Sequence, residues 1–270
     1  MSSTPRIADT EASAAQADDG RAMTDEELDR YARHIVLPQV GGAGQQRLKA
    51  SRIAVIGAGG IGSAAIPALA GAGVGRITII DGDSVELSNL QRQPLYRSDQ
   101  IGQGKAMLAA GFVNALNPFV EVLPIACRID ASNAADLLAN HDLILDGTDN
   151  FATRLIVSDT AVALGIPLVS AAAAQFQGQI GLFRGHVAGA PCYRCFVGDA
   201  FDADDCDTCA EQGVMGALVG TVGQYAALVA IRAIVGIEPD AAGKLFLFDG
   251  AALEWRTMRL PPDPDCRACR

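Results

Sequence analysis

Aromatic side chains make up only 5% of these 270 residues, and there are just three histidines, His34, His141 and His186. Histidine-based proton transfer therefore has few candidates. Basic residues are in deficit as well: 21 Lys and Arg face 31 Asp and Glu, a net charge of −10. No nucleic acid is expected as the main partner, because phosphate-backbone binding needs a net basic face. Seven cysteines are too few for a disulfide scaffold at this length. The first twenty residues contain no apolar run, so no secretory signal is visible. The most apolar stretch, Val214 to Ile237, is interrupted by Gln224, Tyr225 and Arg232 and carries four glycines. It reads as a buried helix and not a membrane span, which needs about 20 nearly uninterrupted apolar residues. What is abundant is apolar residues, at 50%. The expectation is an acidic, cytoplasmic protein with a large core and no membrane partner.

Residues 1–22 are mostly Ser, Thr, Ala, Asp and Glu and read as a disordered tail. No Pro- or Ser-rich linker follows, so residues 23–270 are expected to form a single domain. Thr24-Asp25-Glu26-Glu27 has the spacing of a capping box. Leu28, Tyr31, Ala32, Ile35 and Val36 then mark one face of a helix, with Arg30, Arg33 and His34 on another. The glycines of Gly41–Gly44 are expected to break the chain. Arg52–Ile56 and Arg76–Asp81 read as buried strands flanking a glycine loop and a helix. Val120–Ala126, Asp142–Asp146 and Leu168–Ser170 continue the strand series, and Asp149-Asn150 caps a helix to about Leu164. Gln179–Phe183, Lys244–Phe248 and Trp255–Leu260 read as strands without alternating helices. The fold class is α/β: a Rossmann-like, doubly wound, mostly parallel sheet extended by antiparallel strands.

Gly57-x-Gly59-x-x-Gly62 follows a strand and opens a helix, where glycine lets backbone N–H groups approach a phosphate. Asp81 ends the second strand, a place for a carboxylate that binds ribose hydroxyls. The motif does not separate a dinucleotide from ATP. The next residues do: Asn89, Arg92 and Lys105 suit a triphosphate, with Arg gripping phosphate oxygens and Lys acting as a point charge. Asp146 and Asp149 end a later strand, where hard carboxylate oxygen suits Mg²⁺. An oxidoreductase using NAD fits Gly57–Gly62 and Asp81 equally well but leaves Arg92, Lys105 and Asp149 without a role.

Taken together, Arg30–Ile35, Gly57–Gly62, Asp81-Gly82-Asp83, Ser88-Asn89-Leu90-Gln91-Arg92-Gln93, Gly104-Lys105 and Asp146–Asn150 resemble the MoeB/ThiF/HesA adenylyltransferases, bacterial relatives of ubiquitin-activating enzymes. The resemblance covers residues 24–270. It implies a homodimer that binds Mg-ATP, adenylates the Gly-Gly carboxylate of a ubiquitin-fold sulfur carrier and releases pyrophosphate. It also implies that Gly60 and its neighbours hold the nucleotide and Asp81 the ribose. Asn89, Arg92 and Lys105 contact phosphates, Asp149 takes Mg²⁺, and Arg33 reaches into the partner subunit's site. Asp83, Ser88, Leu90 and Gln91 belong to the same nucleotide-binding motifs. Tyr31–Gly44 and the 208–215 loop look more like the enzymes for the molybdopterin-type carrier than those for the thiazole-type carrier. A dehydratase of modified tRNA and a non-enzymatic binder of ubiquitin-like proteins are the other readings within reach. The sequence ends at Arg270 without a fused sulfurtransferase domain, so a separate sulfur donor is expected.

Six cysteines form three C-x-x-C pairs, and Cys127 stands alone in a strand. A tetrahedral Zn²⁺ site takes two pairs. Spacing alone favours Cys192/Cys195 with Cys206/Cys209. The resemblance instead implies Cys192, Cys195, Cys266 and Cys269 as structural zinc ligands. It leaves Cys209 as a loop cysteine able to join the sulfur carrier covalently. Asp202, Asp204, Asp205 and Asp207 surround the middle pair and would raise its thiol pKa values. A 206–209 disulfide is the redox alternative.

Overall fold

The computed structural model describes residues 23–198, 213–237 and 239–270. Eight strands make one sheet in the order β3-β2-β1-β4-β5-β6-β7-β8. They are β1 Arg52–Ile56, β2 Arg76–Ile80, β3 Glu121–Ile125, β4 Leu143–Asp146, β5 Leu168–Ala174, β6 Gln177–Phe183, β7 Lys244–Asp249 and β8 Glu254–Arg259. The first five run parallel, and β6 to β8 extend the sheet antiparallel. The central strands are short runs of Ile, Val, Leu and Ala because helices cover both of their faces. Edge strand β3 tolerates Pro124 because it pairs only with β2.

Side chains alternate between two apolar clusters. Ile53, Val55, Ile77 and Ile79 face helices α4 Gly60–Gly71, α5 Lys105–Leu116 and α9 Gly216–Val235. Ala54, Ile56, Ile80 and Ile144 face α6 Ala134–Leu138, α7 Phe151–Leu164 and α8 Tyr193–Val197. Helix α9 has the length and hydropathy of a membrane span, yet it packs on α4, β5 and β6. A Cβ at Gly223 would lie 2.5 Å from the carbonyl oxygen of Ile61. The two helices therefore meet backbone to side-chain-free backbone.

The amino-terminal segment differs from the sequence expectation. Instead of one amphipathic helix there are two short ones, α1 Asp25–Arg30 and α2 Ala32–Ile35, parted at Tyr31. The break lets Tyr31 bury its ring against Gly73, whose own Cβ would sit 2.5 Å from that ring. The Tyr31 hydroxyl accepts from Asn117 at 2.8 Å. Leu28 and Val36, expected on the buried face, are exposed. Gly41–Gly44 do not break the chain but open a third helix, α3 Gly41–Ala50. Gly44 lies so close to Val40 and Val235 that a Cβ would meet them at 3.1 and 2.9 Å.

The capping box forms as expected. Thr24 Oγ1 accepts the Glu27 N–H at 3.2 Å, and Glu27 Oε2 accepts the Thr24 N–H and Lys49 Nζ, each at 2.8 Å. Burial works against the Glu27 carboxylate, but Lys49 and Thr24 outweigh it and hold its pKa below the ordinary value. A depressed carboxylate contributes stability above its unfolded pKa and loses it as pH falls through the folded one. Glu27→Gln is expected to cost about 1 kcal/mol near neutral pH. Urea titrations across pH should show the gap to wild type closing as Glu27 protonates.

Candidate nucleotide site and cysteine cluster

Strand order reverses between β1 and β4, so the loops leaving their carboxyl ends border one crevice. The two loops are in close contact. A Cβ at Gly57 would fall 3.4 Å from the Gly147 carbonyl carbon, and one at Gly147 would meet Ile61 Cβ at 2.9 Å. Gly57 has φ +84°, a Cβ at Gly62 would lie 2.0 Å from Gly57 O, and one at Gly60 would strike Val219 at 2.6 Å. The protein's own packing thus accounts for these three motif glycines. Gly59 differs, because its nearest neighbour would be Gln93 Nε2 at 3.7 Å. A Cβ at Gly59 would thus make only ordinary van der Waals contact, and Gly59 is the N-cap of the twelve-residue α4, where a phosphate can meet N–H groups and the positive helix end. Beside it, Gln93 is 3% exposed and its buried Oε1 accepts no hydrogen bond among the described residues.

Asp81 Oδ2 accepts the Ala58 N–H and Oδ1 the Asp83 N–H, each at 2.8 Å. Burial raises its pKa, partly offset by those bonds and by Lys105. The predicted ribose ligand therefore also braces the glycine loop. Lys105 opens α5, is buried, and places Nζ 3.6 Å from Asp83, whose other oxygen is 3.0 Å from Arg128. Asn89 is buried in the turn Leu87–Asn89. Arg92 donates to Ser88 O at 2.9 Å and passes 3.9 Å from the Cβ position of Gly60. Ser88 Oγ donates to Glu86 at 3.3 Å, Leu90 is half-buried, and Gln91 presses its carbonyl against Gly216 at the start of α9.

At the end of β4, Asp146 is fully buried, with Oδ1 accepting Thr148 N–H and Oγ1 at 3.0 and 2.7 Å. The cap of α7 falls to Asn150, which accepts from Thr153 N–H at 2.9 Å, and not to the Asp149-Asn150 pair. Asp149 is exposed at the crevice end of the strand. The fold thus gathers Gly57–Gly62, Asp81, Asp83, Ser88–Arg92, Lys105 and Asp149 around one crevice. Arg33 is not among them. Its neighbour Tyr31 packs on Gly73 and Asn117, which precede β2 and β3, so α2 lies at the opposite end of the sheet. Cys209 and Cys206 lie outside the described residues, but Gly213–Gly216 lead from that segment to Gln91 and Gln175.

Three residues near the crevice carry no sequence signal of their own. Gln93 closes the Ser88–Gln93 motif, and only its burial beside Gly59 marks it. Tyr96 is buried and donates to Ala58 O at 2.7 Å, and burial raises its pKa. Arg128 is held by Asp83. Tyr96 and Arg128 sit 38 and 45 residues from those partners, so no local pattern marks them.

The cysteine pairs that meet are Cys192/Cys195 and Cys266/Cys269, with all four sulfurs within 4.8 Å of one another. Cys192–Cys195, Cys192–Cys266 and Cys195–Cys269 are 3.8, 3.5 and 3.4 Å apart. Four thiolates around one Zn²⁺ at about 2.3 Å have edges of about 3.8 Å, so this donor set fits a tetrahedral soft cation. Burial pushes the Cys192 thiol up and Cys269 up to about 11. At Cys266 burial is outweighed by the N–H groups of Ala268 and Cys269, which hold it down. Contacts around the cluster steady α8: Arg194 pairs with Asp159 of α7 at 2.6 Å, and Tyr193 packs edge-on against Phe183.

Residues 31–268 match the ThiF family. The chain is 42% identical over 249 residues to a sulfur carrier protein adenylyltransferase of Thermus thermophilus, covering 91% of this chain and 92% of that one. It is 40% identical over 247 residues to the molybdopterin-synthase adenylyltransferase of Escherichia coli, covering 92% and 98%. Among solved structures, E. coli MccB superposes with a TM-score of 0.78 at 22% identity, covering 93% of this chain and 74% of that one, which speaks to the fold alone.

Replacing Cys266 and Cys269 together by Ser is expected to abolish stoichiometric metal in the purified protein and to lower its midpoint of thermal unfolding. Metal content measured by elemental analysis that stays at one ion per chain would refute this ligand set.

Proposed function

The chain belongs to the ThiF family, and on that footing we propose that it is an adenylyltransferase that activates the C-terminal Gly-Gly carboxylate of a ubiquitin-fold sulfur carrier with Mg-ATP. The observation that supports this most is the crevice itself: a glycine loop whose Gly59 opens α4, cations at Arg92 and Lys105, and the exposed carboxylate of Asp149. The relatives named as adenylyltransferases of sulfur carriers support the same reading.

A carboxylate is a poor nucleophile toward an anionic phosphate, so the site must supply approach and orientation. The carrier's carboxylate oxygen forms the new bond to the α-phosphorus. The bond from that phosphorus to the bridging oxygen breaks, and pyrophosphate leaves with its electron pair. Negative charge grows on the phosphate oxygens in the transition state, where preorganised cations stabilise it. In this reading Gly57, Gly59, Gly60 and Gly62 seat the nucleotide and Asp81 takes the ribose. Asp83, Ser88, Asn89, Leu90 and Gln91 complete the walls, and Arg92 and Lys105 neutralise phosphates. Asp149 would hold Mg²⁺, which when bound would supply further positive charge to offset that of the phosphates.

The reading extends to a homodimer of single-domain subunits spanning residues 23–270, in which Arg33 serves the partner's crevice. Exposed Val36 and Leu37 beside it offer apolar contact surface. It extends also to zinc in the four-cysteine cluster, a cytoplasmic location and a separate sulfur donor. A molybdopterin-type carrier is favoured over a thiazole-type one. That choice draws on the E. coli molybdopterin-synthase adenylyltransferase, one of several relatives of similar identity and coverage.

ATP–pyrophosphate exchange with each carrier type in turn tests the chemistry. Exchange with the molybdopterin-type carrier alone is expected, whereas no exchange with either carrier would overturn the adenylyltransferase reading. Arg92→Ala and Asp149→Ala should each lower exchange by about two orders of magnitude or more with the fold retained by circular dichroism. Wild-type turnover in either would remove its assigned role. Cys209→Ser should keep exchange and lose sulfur transfer to the carrier, and retention of both would end a covalent role for Cys209.

A further inference from the structure

Arg154 is the largest charged side chain buried near the crevice, at 4% exposure, and no ion pair engages it among the described residues. It stands on the first turn of α7 and points back at the loop preceding its own helix. Nη2 donates to the carbonyl of Thr148 and, at 2.8 Å, to that of Ala171, and Nη1 donates to Ser170 Oγ at 3.2 Å. Ser170 sits opposite Asp146 in the β4–β5 register. One planar guanidinium thereby ties the turn after β4 to strand β5 through three acceptors. A lysine, with a single donor nitrogen, cannot reproduce this fork.

The same turn is held from its other side. Asp146 Oδ1 accepts both the N–H and the hydroxyl of Thr148. Gly147 donates its N–H to Ile56 O at 3.0 Å and packs against Ile61. Thr148 is therefore fixed at its N–H, hydroxyl and carbonyl, and the next residue is Asp149. Burying a cation to bond neutral oxygens costs solvation that an apolar residue would not. That cost is intelligible if the turn has to be rigid.

We infer that Arg154 is a positioning residue that clamps the Thr148 carbonyl and so sets the carboxylate of Asp149 toward the metal–nucleotide. This rests on the role proposed for Asp149 and assigns Arg154 no contact with substrate. Two measurements on the full chain decide it. The first is amide hydrogen exchange without ligand. Arg154→Met should speed exchange at Thr148 by about tenfold or more while α4 and β1 keep their protection. Unchanged protection at Thr148, or equal loss across the whole sheet, would overturn the clamp. The second is pyrophosphate exchange against Mg²⁺ concentration. Arg154→Met should raise the half-saturating Mg²⁺ by about tenfold, with partial rescue by Arg154→Lys, and should add no loss to Asp149→Ala. Ser170→Ala, which deletes one acceptor, should shift the Mg²⁺ requirement in the same direction if Arg154→Met does not fold. A loss that multiplies with Asp149→Ala, or an unmoved Mg²⁺ requirement, would refute the inference. A wild-type protein inactive with every carrier would instead fell the proposed function, and the hydrogen-exchange arm would still decide whether Arg154 clamps the turn.

Discussion

The site depends on backbone meeting backbone where β1 and β4 deliver their loops. Gly62 approaches the carbonyl of Gly57, Gly223 that of Ile61 and Gly216 that of Gln91, while Gly147 meets the Ile61 side chain, each within a distance that leaves no room for a methyl group. Interiors are packed densely enough that such contacts fix geometry and do not blur it. Helix α9 can then lie flush on α4, the β4 turn can touch the glycine loop, and the Ser88–Gln93 segment can rest on the start of α9. Gly59 is set apart because a Cβ there would make only ordinary contact, with Gln93 at 3.7 Å. The ψ of Gly59, −144°, lies outside the usual β and helical regions, so glycine serves both the turn into the helix and a close approach by a phosphate.

Much of the α/β half was legible in advance because parallel central strands advertise themselves as short β-branched runs, each followed by a turn signal and a helix. The antiparallel extension was legible for the opposite reason: Lys244–Asp249 and Glu254–Arg259 have strand-like composition and no helix between them. What was not legible came from tertiary contact. Tyr31 leaves the helical path because its ring finds Gly73, a residue 42 positions on, and so splits the predicted stripe. Gly41–Gly44 start a helix because Gly44 lies tightly against Val235. Spacing favoured the wrong neighbour for Cys192/Cys195 because it measures chain separation, whereas the sheet brings Cys266 and Cys269 back to α8.

Of the candidate site, the glycines, Asp81, Arg92, Lys105 and Asp149 are named by local motifs and border one crevice, whereas Arg33, named the same way, does not. Asp81 shows how one group serves two ends, since its carboxylate braces the Ala58 N–H from a partly buried place. Gln93, Tyr96 and Arg128 escaped because their relation to the crevice exists only after folding. Arg33 could be recognised by motif but not located by it, and its position across the sheet from its own chain's glycine loop is what makes a second subunit a requirement of the proposed mechanism and not an ornament to it.

The cysteine cluster joins positions 74 residues apart. During synthesis, Cys192 and Cys195 leave the ribosome well before their partners exist. At roughly 5–20 residues per second, the interval is about 4–15 s. For that time the nascent chain carries a bare dithiol, open to oxidation or to a stray metal ion. Faithful assembly of this protein is therefore expected to depend on the redox state and free metal of the compartment in which translation occurs, independently of anything its finished crevice does.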